Sequence, residues 1–114
     1  MITIKGVDQN MIANNIEPFE PTHPGSVLKE EIEYRGISQK LLATNMGVSY
    51  VMLNDMVNCK RPVTTQYALL FEAALGIPAH ILIGLQSNYD MNMAKRTPSL
   101  AEKLKKVRKI AAAL

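Results

Sequence analysis

Residues 39–56, QKLLATNMGVSYVMLNDM, leave the chain few ways to fold. Ser38 offers an N-cap to a helix with Leu42, Ala43 and Met46 inward and Gly47 as its stop, and Ser49 can cap the next helix two residues later. A connection as short as Gly47-Val48-Ser49 makes the two helices turn sharply and pack on each other. A pair crossing at about 90–120° needs a small residue where the backbones approach, a turn residue that tolerates positive φ, and apolar side chains to seal the contact. Ala43 is the small residue, Gly47 the turn, and Leu42, Met46, Val48, Leu53 and Met56 the seal.

The surroundings are helical as well. Pro24 suits a first helical turn, Val27, Leu28 and Ile32 recur at helical spacing, and Arg35 and Gly36 supply a cationic last turn and a left-handed stop. Beyond the pair, Thr64 or Thr65 caps a helix with Ala68, Phe71 and Leu75 on one face and Gly76 at its end. Pro78 opens another with Ile81, Leu82, Leu85 and Tyr89 apolar on one side. No segment alternates strictly at a period of two, as a half-buried strand would. The fold class expected is therefore all-α: a five-helix domain over residues 23–93, preceded by an irregular arm (1–22) rich in Asn and Pro. A basic linker and a C-terminal amphipathic helix follow (94–114). In that last helix Ser99 and Glu102 have capping-box spacing, and Leu100, Leu104, Val107, Ala111 and Leu114 form a stripe opposite a Lys/Arg face. The stripe has three possible destinations: its own domain, a second copy, or another protein.

Charge narrows the function. The net +3 is distributed unevenly: residues 1–33 carry −4, residues 34–62 carry +3, residues 63–93 hold only Glu72 and Asp90, and residues 94–114 carry +6. Basic zones suit polyanions, although a charged stretch also serves as a plain solvated face. The single cysteine, Cys59, has no disulfide partner, no leader or bilayer-spanning run is visible, and the expected location is cytoplasmic. No P-loop, nucleophile elbow or paired-carboxylate arrangement appears, so no enzyme is expected. His23 and His80 are unsupported as metal ligands and no cofactor is implied. The seven methionines read first as core filler.

A plain helical hairpin has the same packing needs as residues 39–56. Its setting, with one helix before, two after and the basic loop Asn58-Cys59-Lys60-Arg61 directly beyond, favours a helix-turn-helix on DNA. With the second helix starting at Tyr50, its outward residues Tyr50, Val51, Asn54 and Asp55 face the major groove. There Asn54 can pair with adenine, Val51 can touch a thymine methyl, and Asp55 can accept from cytosine. Gln39 and Ser49, at helix N-termini, are placed for phosphates, and Lys40, Asn58, Lys60 and Arg61 for the rest of the DNA backbone. One monomer offers few contacts, so a homodimer on two half-sites about one helical turn apart is expected.

Six short motifs lie along the chain: His23-Pro24-Gly25, Ile37-Ser38-Gln39, Met46-Gly47-Val48-Ser49, Asn58 through Thr64, Ala73-Ala74-Leu75-Gly76, and Leu85-Gln86-Ser87-Asn88-Tyr89-Asp90. In them the chain resembles lambdoid-repressor (XRE-type) helix-turn-helix domains and, more closely, the HigA (VapI-like) antitoxins of plasmid-maintenance modules. The resemblance implies a protein that neutralises a RelE-like (HigB-like) endoribonuclease toxin and represses its own operon at operator DNA. The alternatives are a phage-repressor-type regulator with no toxin, and an interaction module that has lost DNA binding. The sequence departs from the family pattern at Tyr50 and Asp55, where Arg or Lys is usual, and at Cys59, where Gly is. Asp55 therefore either specifies a base or weakens DNA binding, and Cys59 puts the loop's glycine conformation in question. The acidic N-terminal third and the C-terminal helix are rival surfaces for a toxin.

Overall fold

The computed structural model describes residues 21–114, and all but the last two residues of the expected arm lie outside them. Six helices follow one another: α1 (Pro24–Tyr34), α2 (Gln39–Met46), α3 (Tyr50–Val57), α4 (Thr65–Leu75), α5 (Ala79–Lys95) and α6 (Pro98–Ala112). There is no strand among the described residues.

Local chemistry sets the starts. The hydroxyl oxygens of Ser38, Ser49 and Thr64 each accept a hydrogen bond at 3.3 Å, from the backbone N–H of Leu41, Met52 and Tyr67 respectively. Each cap satisfies one donor that the first helical turn leaves unpaired. Gly47 ends α2 at φ +69°, and the Val48 N–H donates back to the Ala43 carbonyl at 3.0 Å. This six-to-one bond closes a Schellman turn that reverses the chain within three residues, and a residue with a side chain would be strained in it.

Leu28 and Ile32 of α1, Leu42 and Ala43 of α2, Leu53, Met56 and Val57 of α3, Ala68, Phe71 and Leu75 of α4, and Leu82 of α5 form one core. Met46 and Val48 pack partly against it, so the seal expected between α2 and α3 is present. Burying each large apolar side chain contributes about 1.5–3 kcal/mol.

Two elements depart from expectation. The buried residues of α5 are Ala79, Leu82 and Gln86, whereas Ile81 is 46% exposed and Leu85 and Tyr89 are half-buried. The Ala79 N–H donates to the Glu72 carboxylate at 3.0 Å, which ties the start of α5 to the end of α4 and fixes which face turns inward. The joint expected at 94–98 is shorter, because α5 runs through Lys95. Pro98 then takes the first position of α6 with Thr97 as N-cap and no side-chain cap bond, so the Ser99–Glu102 capping box does not form. Proline's fixed φ starts the helix at Pro98, two residues before the Leu100 start that a Ser99 cap would give. No residue of α6 is buried: Leu104 is half-covered, Val107 and Ile110 are exposed, and so is Leu114 just beyond its end. Its own domain does not seal the stripe.

Candidate nucleic-acid interface

The sharp α2–α3 turn presents the outer face of α3. Val51 is 63% and Tyr50 40% exposed, while Asn54 and Asp55 are half-buried. The Lys40 ammonium lies 5.6 Å from the centre of the Tyr50 ring, a cation–π distance that holds the first cation of α2 over the first residue of α3.

Asn54 is held from α2. Its Nδ2 donates to Gln39 Oε1 at 3.0 Å, which fixes its amide orientation and leaves its oxygen and second amide hydrogen for an outside partner. Gln39, expected to meet phosphate directly, thus also orients Asn54, with its own amide hydrogens still available. Ser49 caps α3, and its hydroxyl hydrogen can still be donated.

Asp55 does not stand bare. Arg61 Nε lies 3.1 Å from Asp55 Oδ2, and both side chains are partly exposed. Such a pair contributes well under ~1 kcal/mol, but it brings a cation beside the carboxylate that would otherwise repel phosphate. Asn58 is engaged at both ends: its Nδ2 donates to the Asn54 carbonyl at 2.9 Å, and its Oδ1 accepts from Lys29 Nζ at 3.0 Å. It therefore closes the end of α3 and draws in Lys29 of α1, a cation that the helical pattern alone did not place here. Lys60 is exposed on the same loop.

Cys59 keeps the conformation that the loop demands. Its φ is +63°, and the Lys60 N–H donates to the Asp55 carbonyl at 2.8 Å while the Cys59 N–H donates to that of Met56 at 3.1 Å. This is a complete Schellman ending with cysteine in the glycine position. A left-handed L-residue costs about 1–2 kcal/mol, offset in part by glycine's greater freedom in the unfolded chain. Cys59→Gly should therefore stabilise the protein by about 1 kcal/mol in a urea titration, with Cys59→Ala close to the parent. Equal midpoints for all three would show that the turn carries no strain.

Behind the loop lies a clamp that helical periodicity missed, built from motifs the sequence had singled out. His23 is buried and N-caps α1, its Nδ1 accepting from the Gly25 N–H at 2.9 Å. Its ring stacks edge-on against Tyr89, centroids 4.8 Å apart. Gln86, also buried, accepts from the Val63 N–H at 2.7 Å and donates to Asp90 at 2.9 Å. The clamp ties the loop after α3 to the start of α1 and the middle of α5.

Burial holds the His23 imidazole below its ordinary pKa of 6.5, partly opposed by the Asp90 charge and by a hydrogen bond to the Arg61 backbone. The folded state therefore favours neutral His23, the form whose Nδ1 can accept. The resulting stability is complete above pH ~6.5 and is lost as the pH falls from there through the folded value. The urea midpoint should drop between pH 7 and 5 in the parent and drop less in His23→Asn, which keeps a capping side chain without the titration. Parallel profiles would remove His23 from the acid response.

Among the described residues no three His, Cys, Asp or Glu side chains group as metal ligands, and no helix is long and apolar enough to cross a membrane.

A small all-helical protein with an α2–α3 helix-turn-helix and an exposed second helix is the class that this fold and site define. No family model matches the chain. Over 75 residues it is 33% identical to virulence-associated protein I of Dichelobacter nodosus, covering 65% of this chain and 69% of that protein. A HigA-family addiction module antidote protein from Coxiella burnetii superposes with a TM-score of 0.67 at 27% identity, covering 77% of this chain and 95% of the other. The Pseudomonas aeruginosa antitoxin HigA, solved with the higBA promoter, gives 0.66 at 27% identity, covering 74% and 90%. The chain belongs to the HigA/VapI-like antitoxin family.

Proposed function

We propose that this chain is the antitoxin of a HigBA-type module, which represses its own operon by binding operator DNA as a dimer and neutralises a RelE-like endoribonuclease. The observation that carries the DNA half is Asn54, oriented by Gln39 on the exposed face of α3. A preset amide lowers the entropy lost on pairing with adenine. Tyr50 and Val51 add neighbouring base contacts, while Lys40, Lys60 and Arg61, with Ser49 and the Gln39 amide, grip phosphates. In this reading Asp55 positions Arg61 more than it reads a base, and Asn58 supports the loop. The HigA structure with promoter DNA supports the same reading. We take residues 23–93 as a lambda-repressor-like DNA-binding domain between an arm (1–22) and a C-terminal segment (94–114), in a cytoplasmic protein whose acidic N-terminal third and C-terminal helix are the rival surfaces for the toxin.

The test is a mobility shift on the promoter of the chain's own operon. Asn54→Ala should weaken the specific complex about tenfold or more, the equivalent of losing one bidentate base contact, with unrelated DNA unaffected. Absence of a specific complex would defeat the repressor reading. The toxin half is tested by looking for a RelE-like reading frame beside this one and co-expressing its product with the chain: rescue of growth supports it, and absence of such a frame or continued toxicity leaves a stand-alone regulator.

A further inference from the structure

The helix-turn-helix is short of cations for a protein that must hold a polyanion. Lys40, Lys60 and Arg61 are its positive residues, and Arg61 is already paired with Asp55. The opposite situation holds in α6, where Lys103, Lys105, Lys106, Arg108 and Lys109 face a single acid, Glu102. All five are exposed, and none has a carboxylate within 4 Å among the described residues, where the ion pairs are Arg35–Glu31 and Arg61–Asp55. A charge this concentrated and unpaired is available to an outside anion.

Its placement says which anion. The hydrogen bond from Val63 to Gln86 holds the middle of α5 against the loop that carries Lys60 and Arg61, and Tyr89 one turn on stacks against His23 at the start of α1. Lys95 follows Asp90 by five residues, roughly 7.5 Å along the helix axis, so α5 delivers its last cation and α6 from the loop end of the domain. The fifteen residues of α6 then span roughly 22 Å, long enough to follow several phosphates.

We infer that the basic face of α6, opposite its Leu100–Leu104–Val107 stripe, is a second DNA contact: a phosphate grip without base specificity that extends the surface begun by Lys60 and Arg61. The inference rests on the reading that the chain binds DNA. It divides the work: α3 chooses the sequence, and α6 supplies affinity that is lost as salt rises. A basic amphipathic helix also suits anionic lipid. The stripe of α6 holds no aromatic residue to anchor in a headgroup layer, and its position at the loop end favours DNA.

The experiment uses the full chain with Lys105, Lys106 and Lys109 replaced together by Gln, which leaves the apolar stripe intact. Binding is measured against potassium chloride concentration on the operator duplex and on an unrelated duplex of equal length. The Gln variant should lose the same factor of affinity on both, and the slope of log K against log salt should shrink by roughly 0.9 for each phosphate contact removed. Replacement of the same three residues by Arg should keep the parent slope. An unchanged slope in the Gln variant overturns the inference while leaving operator binding by α3 intact. An unchanged slope accompanied by lost binding to phosphatidylserine vesicles assigns the face to membranes instead. A parent chain that binds neither duplex overturns the inference and the repressor reading together.

Discussion

A single methyl group added at Gly25 should destabilise the protein by about 3 kcal/mol, lowering its thermal midpoint by roughly 12 °C or more. A Cβ at this position would run into the backbone carbonyl of Met56 and stand 3.0 Å from His23 Nδ1. Neither neighbour is free to yield. The Met56 carbonyl accepts from the Cys59 N–H in the ending of α3, and His23 Nδ1 accepts from Gly25 itself. To admit the methyl, α1 has to lift from α3 and loosen the contacts of Leu28 and Ile32, both buried in the core. Gly84→Ala is the matched control. Gly84 lies inside α5 with nothing within 4 Å of an added Cβ, so alanine there should stabilise by about 0.5–1 kcal/mol through helix propensity. Equal stability for Gly25→Ala and the parent would show that α1 and α3 are not in tight backbone contact. The same geometry explains His23-Pro24-Gly25 as a unit: a capping imidazole, a preset first helical turn, and a residue small enough for α3 to pass.

What could be read in the sequence was what adjacent residues decide. The caps at Ser38, Ser49 and Thr64, the left-handed stop at Gly47 and the inward face Ala68–Phe71–Leu75 each depend on residues a few places apart, and each is present. The pairs that shape the interface link residues separated by more than one turn. Asn54 meets Gln39, Asp55 meets Arg61, Lys29 meets Asn58 and Val63 meets Gln86 only after the helices have packed. A helical pattern also assigns polar residues to the outside, which hid Gln86 as an inward residue and made Ile81 look like core. The signal for the clamp was present in the motif Leu85 through Asp90, but it served there only as a mark of kinship, and its physical task emerges once α5 lies beside the loop.

Gln86→Leu should cost about 2–3 kcal/mol despite adding apolar surface to a buried site. The Val63 N–H donates to Gln86 Oε1 at 2.7 Å, and leucine would leave that buried donor unpaired and release Asp90 from Gln86 Nε2. Because Val63 lies in the stretch from Asn58 to Thr64 that carries Lys60 and Arg61, the loss should also reach DNA. At temperatures where the variant is still folded, phosphate contacts from Lys60 and Arg61 should weaken, while the preference of Asn54 for its base should persist. Gln86→Glu separates the two roles of the side chain. A carboxylate still accepts from Val63, but it faces Asp90, so one of the two acids must hold its proton above its ordinary pKa. That raised folded value means the Glu variant is penalised at neutral pH and recovers as the pH falls through it, opposite in direction to the acid response expected from His23. Urea midpoints at pH 7.5 and 5.5 read both effects: the Leu variant stays low at both, and the Glu variant closes part of its gap to the parent at the lower pH. A Leu variant as stable as the parent would mean that water or a shifted loop satisfies Val63, and Gln86 would then not hold the loop in place.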